Sequence, residues 1–272
     1  MNDMEMNRED PNLANQIVVF GVASARYGIR VDRVREMTSL GHLDEIAGAP
    51  PWIAGVIRIR EQILPVVDLR IRLGLPRLES ERTDITDALN LSRAWHLDNF
   101  GCATTRKMGH DATLGQACHE DLFKHRIFEE IPRLRQLADR ARCSHKALHE
   151  AVESGDVSNE ASQEAIETAL QRFRSEVDDL GRQLKDGTRP MVIVVSVDDA
   201  SSCIQVDRVH SVVSFGDDQI ERAPLGTLVT TEGQELVSLV VKTPNDPRVI
   251  QILDIDELLA AAPIPSASQI GR

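Results

Sequence analysis

A chain of 272 residues, 42% hydrophobic and 27% charged, has room for one large or two ordinary domains and the composition of a soluble globular protein. Its formal net charge of −12 argues against a nucleic-acid partner, because neutralising phosphates needs a basic surface. No apolar run approaches the ~18 residues of a membrane span, and the polar opening MNDMEMNREDPN lacks a signal-peptide core, so no membrane insertion is expected. Cys102, Cys118, Cys143 and Cys203 show no disulfide spacing, and reduced thiols in a cytoplasm are expected.

Residues 1–14 read as a disordered tail. Residues 15–86 are strand-like: IVVF, GVIRI and ILPVVDL are short β-branched runs separated by Gly, Pro, Asn or Asp. Between 87 and 187 the texture turns helical. Of the twelve prolines only Pro132 falls there, while six of the eight histidines and three of the four cysteines do. A weak helix over about 84–99 presents Ala88, Leu91 and Trp95 on one side, and 101–119 reads as a loop with a short helix. A second helix carries the stripe Leu134, Ala138, Ala141, His145, Leu148 and Val152.

The third stripe, Ile166, Leu170, Phe173, Val177, Leu180 and Leu184, alternates by four and three, the period of a coiled-coil-like seam. This helix is expected to start near Ser158 as N-cap and to stop near Gly187. Helices of this length with short links favour an antiparallel bundle. Residues 188–262 return to strand text with MVIVVSV, CIQV, SVVSF, LVSLVV and VIQIL, and 263–272 read as a second tail. Strands spaced roughly every ten residues suggest barrels. The helical block then reads as an insertion at a loop tip.

His145 and His149 stand four residues apart, so on a helix both imidazoles point the same way. Two such donors supply half of a tetrahedral zinc site. Further donors in the same block are His96, His110 and Cys118, with Cys102, His119 and Cys143 beside them. Cys143 lies about 200° round the helix from His145 and faces away. Hydrogen-bonded core histidines are the competing reading. HKALH is not a zincin motif, since Lys146 occupies the place of the general-base Glu, and no phosphate-binding loop, nucleophile elbow or dinucleotide fingerprint occurs. The chain reads as a non-enzyme.

RYGIRVDRVREM, IAGVIRIREQILPVVDLRIRLGL, VDRVHSVVSF, DQIERAP and VIQILDIDELL, in that order, resemble the CheW family of chemotaxis coupling proteins. The resemblance implies an α+β protein built on a pair of SH3-like β-barrels, here with an inserted antiparallel helical bundle. It implies a cytoplasmic adaptor at receptor arrays, whose partners are a CheA-type histidine kinase regulatory domain and a chemoreceptor's cytoplasmic tip. Val34, Glu36, Gly55 and Arg60 match positions that the family uses around the receptor-facing groove. The family usually has Arg-Gly where this chain has Arg60-Glu61, and Gly there permits a left-handed turn.

The insertion resembles, over about 87–152, the chemoreceptor zinc-binding (CZB) domain, and through it zinc is the implied cofactor. The late His-x-x-x-His is intact at His145 and His149. LGQA at 114–117 is similar to the middle element, but Ala112 stands at the cysteine position and Ala117 at the aromatic one. The first-helix histidine position, just before Trp95, reads as Ser92. Two functions therefore follow: a chemotaxis adaptor whose inserted module senses metal or redox state, or a zinc-binding sensor with the bundle as its functional centre.

Overall fold

The computed structural model describes residues 15–100, 121–155, 159–197, 200–224, 236–243 and 246–260. The chain divides into two compact units, one of residues 1–78 with 189–272 and the other of residues 79–188. The first opens with β1 (Gln16–Val22), β2 (Ala25–Arg30), β3 (Val34–Ser39), β4 (Ile53–Ile59), β5 (Gln62–Asp68) and α1 (Leu69–Arg72). The second carries α2 (Leu78–Phe100), α3 (Arg126–Glu130), α4 (Pro132–Ser154) and α5 (Glu160–Gly187). The chain then returns to the first unit with β6 (Met191–Val197), β7 (Ala200–Val206), β8 (Arg208–Ser214), β9 (Ile220–Arg222), β10 (Val237–Thr243), β11 (Asp246–Leu253) and α6 (Ile255–Ala260).

The strands form two sheets, ordered β8-β1-β2-β11-β10-β9 and β3-β6-β7-β5-β4. The β2–β11 and β5–β7 pairs are parallel, and each joins a strand before the insertion to one after it. The unbroken apolar text of IVVF and MVIVV follows from burial on both faces. Along β1, Val18, Phe20 and Val22 enter a main core with Ile193, Val195 and Ile204 of the other sheet. Ile17 and Val19 point into a second cluster with Val241, Ile250 and Ile252. The other sheet likewise has its own cluster of Ile57, Leu64, Val66, Val192, Val194 and Cys203. The expected barrels are thus met at the level of two sheets; among the described strands neither sheet closes into a ring.

The LPVVDLR run ends β5 and starts α1. Asp68 is the N-cap, its side chain accepting from the amides of Arg70 and Ile71. Arg70, 2% exposed, donates to the Pro76 carbonyl and, at 2.8 Å, to the Asp207 carboxylate. Asp207 also accepts the amide of Ala23, whose φ of 51° is uncommon outside glycine. The guanidinium of buried Arg72 stacks 4.8 Å from the Trp52 ring centre.

In the second unit the six seam residues expected from Ile166 to Leu184 are all buried. On α4 the expected stripe is buried from Leu134 to Leu148, with Val152 half-buried and with Leu137, Ser144 and His149 added. The two helices run in opposite directions, because Arg140 meets Glu176 while His145, further along, meets Phe173. Two expectations need correction. The helix expected over 84–99 spans Leu78–Phe100 and buries Ile85, Leu89, Ser92 and His96, whereas Leu91 is 68% exposed. Its inward face carries polar residues, which an apolar-stripe reading passes over. Asn159 caps α5 in place of Ser158, its side chain accepting from the Ala161 amide. None of the described helices is long and apolar enough to cross a membrane.

Candidate functional site

Two places in the chain gather chemistry-bearing side chains, one in each unit. In the first unit, a groove of about 500 Å³ lies between β3, the segment after it and the β4–β5 hairpin. Its lining includes Glu36, Thr38, His42, Asp44, Ile57 and Arg60. Irregular strand pairing shapes it. The register of β3 on β6 shifts between Val34 and Glu36, and that of β4 on β5 shifts between Ile53 and Gly55. Such bulges re-aim side chains at the edge of a sheet.

Gly55 has a φ of +145°, and a Cβ there would come within 2.5 Å of the Asp44 carbonyl oxygen. That close approach lets Asp44 exchange two backbone hydrogen bonds with Val56, at 2.9 and 2.8 Å, and so build the groove's far wall. Arg60 turns the hairpin with a φ of 54°, and its guanidinium donates to the Glu36 carboxylate at 2.7 Å. The left-handed residue of this turn is therefore Arg60 itself, not Glu61, and the missing glycine costs the turn nothing at position 61.

Of the four residues expected at a partner surface, the structure brings Glu36 and Arg60 together, places Gly55 behind the wall, and packs Val34 half-buried against the main core. Thr38, His42, Asp44 and Ile57 were not foreseen. Only the fold brings the 40–44 segment across β4, so no spacing in the sequence marks them. Beneath the groove wall, burial and the Glu36 charge push the Cys203 thiol up to about 12.

In the second unit, His96 on α2 and His145 and His149 on α4 converge, with one ligand nitrogen of each within 4.8 Å of the others. All three are at most 1% exposed. His96 Nδ1 lies 2.7 Å from the Ser92 carbonyl, one turn back along α2, and donates to it. That bond places the proton on Nδ1 and turns the Nε2 lone pair toward α4. His96 Nε2 lies 3.2 Å from His149 Nε2. Two nitrogens that each sit 2.0–2.1 Å from a tetrahedral zinc stand about 3.3 Å apart, so the spacing suits a shared ion. Phe173 packs on His96 and His145, Phe100 on His96 and His149, and Phe123 on His145, giving the cluster aromatic walls.

The structure thus joins the expected His145 and His149 to His96, one of the further donors of the same block. The first-helix position had been read at Ser92; the histidine that reaches the cluster comes one turn later. His110 and Cys118 lie outside the described residues, as do Cys102 and His119. Cys143 is exposed and takes no part, as its helical angle implied. His125 is engaged elsewhere: it caps α3 by accepting the Ile127 amide and faces Glu81 at 3.7 Å.

Comparison with known proteins bears on the first unit. Residues 16–89 and 175–262 match the CheW-like domain, more than half of the chain. The match runs into the first half of α2 and resumes inside α5. A chemotaxis protein CheW of Bacillus subtilis is 39% identical over 71 residues, 26% of this chain and 44% of that protein. A chemotaxis protein CheW of Klebsiella aerogenes is 25% identical over 81 residues, 30% of this chain and 49% of that protein. The chain therefore spans less than half the length of these relatives. The crystal structure of scaffolding protein TtCheW from Thermoanaerobacter tengcongensis aligns with a TM-score of 0.46 at 16% identity, over 92% of this chain and 94% of that one. With both strand-rich segments matched in order, the chain belongs to the CheW-like domain family.

Proposed function

We propose that this protein is a non-enzymatic adaptor that couples a chemoreceptor's cytoplasmic tip to the regulatory domain of a CheA-type histidine kinase. The observation that carries this reading is the groove, in which Glu36 and Arg60 meet on the family-matched unit beside a wall that Gly55 makes possible. A half-exposed ion pair at the rim of a groove suits recognition of a charged helix or strand, since such groups set orientation and partner choice more than raw affinity. Binding of the untagged chain to a CheA-type regulatory domain and to a receptor-tip fragment tests it by calorimetry. The reading predicts saturable binding to both, weakened by Arg60→Glu; binding to neither would overturn it.

A second reading concerns the inserted unit, and the histidine triad favours it. Here the helical unit is a zinc-dependent input to the adaptor. His96, His145 and His149 would hold the ion through imidazole nitrogens, and the ion would supply a cross-link between α2 and α4. Metal analysis of protein purified without a histidine tag should give close to one zinc per chain, lost in His145→Ala. A metal-free protein that rejects added zinc would leave the unit as a docking surface.

A further inference from the structure

Glu36, Asp44, Arg58 and Arg60 all line the groove of the first unit. Glu36 and Arg60 are committed to each other at 2.7 Å, whereas Asp44 and Arg58 are placed differently. The Asp44 carboxylate is 78% exposed, and the exposed His42 ring faces it at 3.7 Å. Arg58 is exposed, and among the described residues it enters no ion pair, with Asp44 or any other acid. The backbone fixes where these two stand. Asp44 is bridged antiparallel to Val56, and residues directly opposite in such a bridge share a face. Val56 and Arg58 are two apart in a regular stretch of the β4–β5 pairing, so they share that face too. Asp44 and Arg58 are therefore diagonal neighbours, about 7–8 Å apart. Two backbone hydrogen bonds and the Gly55 backbone, at a φ of +145°, hold Asp44 in place without using its side chain. A conformation that glycine alone adopts readily, kept to present an exposed carboxylate, suits recognition.

Resting on the adaptor reading above, we propose that Asp44 and Arg58 select the receptor tip by the order of its charges. The matching tip surface carries a basic side chain against Asp44 and an acidic one against Arg58, on one face and of the same span. Charges so placed fix register and orientation more than they add affinity. A surface with the reverse order meets like charge at both positions and is rejected. Glu36 and Arg60 satisfy each other, so they close the groove without reading that order.

The test uses the full chain and two probes, a receptor-tip fragment and a CheA-type regulatory domain. The informative variant exchanges the pair, Asp44→Arg with Arg58→Asp, which keeps the net charge and reverses only its order. Its urea midpoint should match the parent, since both side chains are exposed. Its affinity for the tip fragment should fall roughly tenfold or more, while that for the kinase domain stays within about twofold. The neutral variants Asp44→Asn and Arg58→Gln should each lose less. Reversing one base and one acid on the tip fragment should restore binding to the exchanged chain. A parent that binds neither probe fails at the adaptor reading, and this proposal falls with it. A parent that binds the tip no better than the exchanged variant does overturns this proposal alone. Equal losses toward both probes, or no tip exchange that restores binding, would overturn it as well.

Discussion

Arg60 donates to Glu36 at 2.7 Å from a backbone held at a φ of 54°, so the residue that closes the groove is also the strained residue of its hairpin. The Arg60 side chain is 82% exposed, which limits what the ion pair adds to stability. Arg60→Gly relieves a left-handed conformation worth roughly 1 kcal/mol while losing a pair worth about as much. Stability in urea should therefore stay within about 1 kcal/mol of the parent. Binding to the partner that uses the groove should fall roughly tenfold or more, the effect of about 1.4 kcal/mol. An unchanged affinity would remove Arg60 from the binding surface.

Gly55 and Gly48 make a matched pair of controls. Both have positive φ, but a Cβ at Gly48 meets nothing within 4 Å, whereas one at Gly55 meets the Asp44 carbonyl at 2.5 Å. Gly48→Ala should cost about 1 kcal/mol, the conformational part alone. Gly55→Ala should cost roughly 3 kcal/mol, because the backbone of Asp44 must move as well. Chemical denaturation of the two variants gives the difference directly; equal costs would mean that the 40–44 segment yields freely.

Asp207 draws on two distant parts of the first unit, the Ala23 turn and the buried Arg70. Asp207→Ala removes the carboxylate facing a guanidinium that is 2% exposed, and about 3–5 kcal/mol of stability should go with it. Replacing both partners, Arg70→Met with Asp207→Leu, should recover a large part of that loss, since neither member of the pair is then left buried without the other. Denaturation midpoints across the double-mutant cycle check this. A double variant no better than Asp207→Ala would show that Asp207 acts chiefly through the Ala23 turn.

Alkaline stability follows from two buried acids. Burial pushes Tyr27 from 10.0 to about 12 and, with the Glu36 charge, Cys203 from 9.0 to about 12. Both groups are raised, so their protonated forms are favoured by folding. Their contribution is fully present below pH 9 and is lost as pH rises toward 12. The midpoint of unfolding should be level with respect to these groups up to pH 9 and fall above it, less steeply in Cys203→Ala corrected for its own baseline. In a chain whose other cysteines are serine, Cys203 should also resist thiol reagents until the protein unfolds.

Much of this architecture was readable from patterns with a fixed period. The seam from Ile166 to Leu184 lies as its alternation required, and the direction of His145 and His149 followed from that of Leu134, Ala138 and Ala141. What failed was the inward face of α2. Hydrophobicity points to Leu91, yet the helix buries Ser92 and His96 and turns Leu91 to solvent. Ser92 and His96 interrupt the apolar stripe that Ile85 and Leu89 begin, so the third histidine was invisible by the rule that found the other two. The groove was half legible for a different reason. Glu36 and Arg60 came through family likeness, but the 40–44 segment is positioned by a bridge to Val56 that no local signal announces.

The two sheets are woven from strands on both sides of the insertion: β1 pairs with β8, β2 with β11, β3 with β6 and β5 with β7. Neither strand-rich segment can cover its apolar faces alone. Folding of this unit is therefore governed by contacts of high separation, such as Arg70 to Asp207 across 137 positions, and by a slow, late-closing search. The insertion acts as a tether in that search. Doubling a tether's length adds only about 0.6 kcal/mol of closure entropy, so the fold can tolerate a hundred-residue passenger with little loss. A chain cut inside the passenger becomes a pair of mutually dependent fragments, and its folding becomes a bimolecular assembly whose yield depends on concentration.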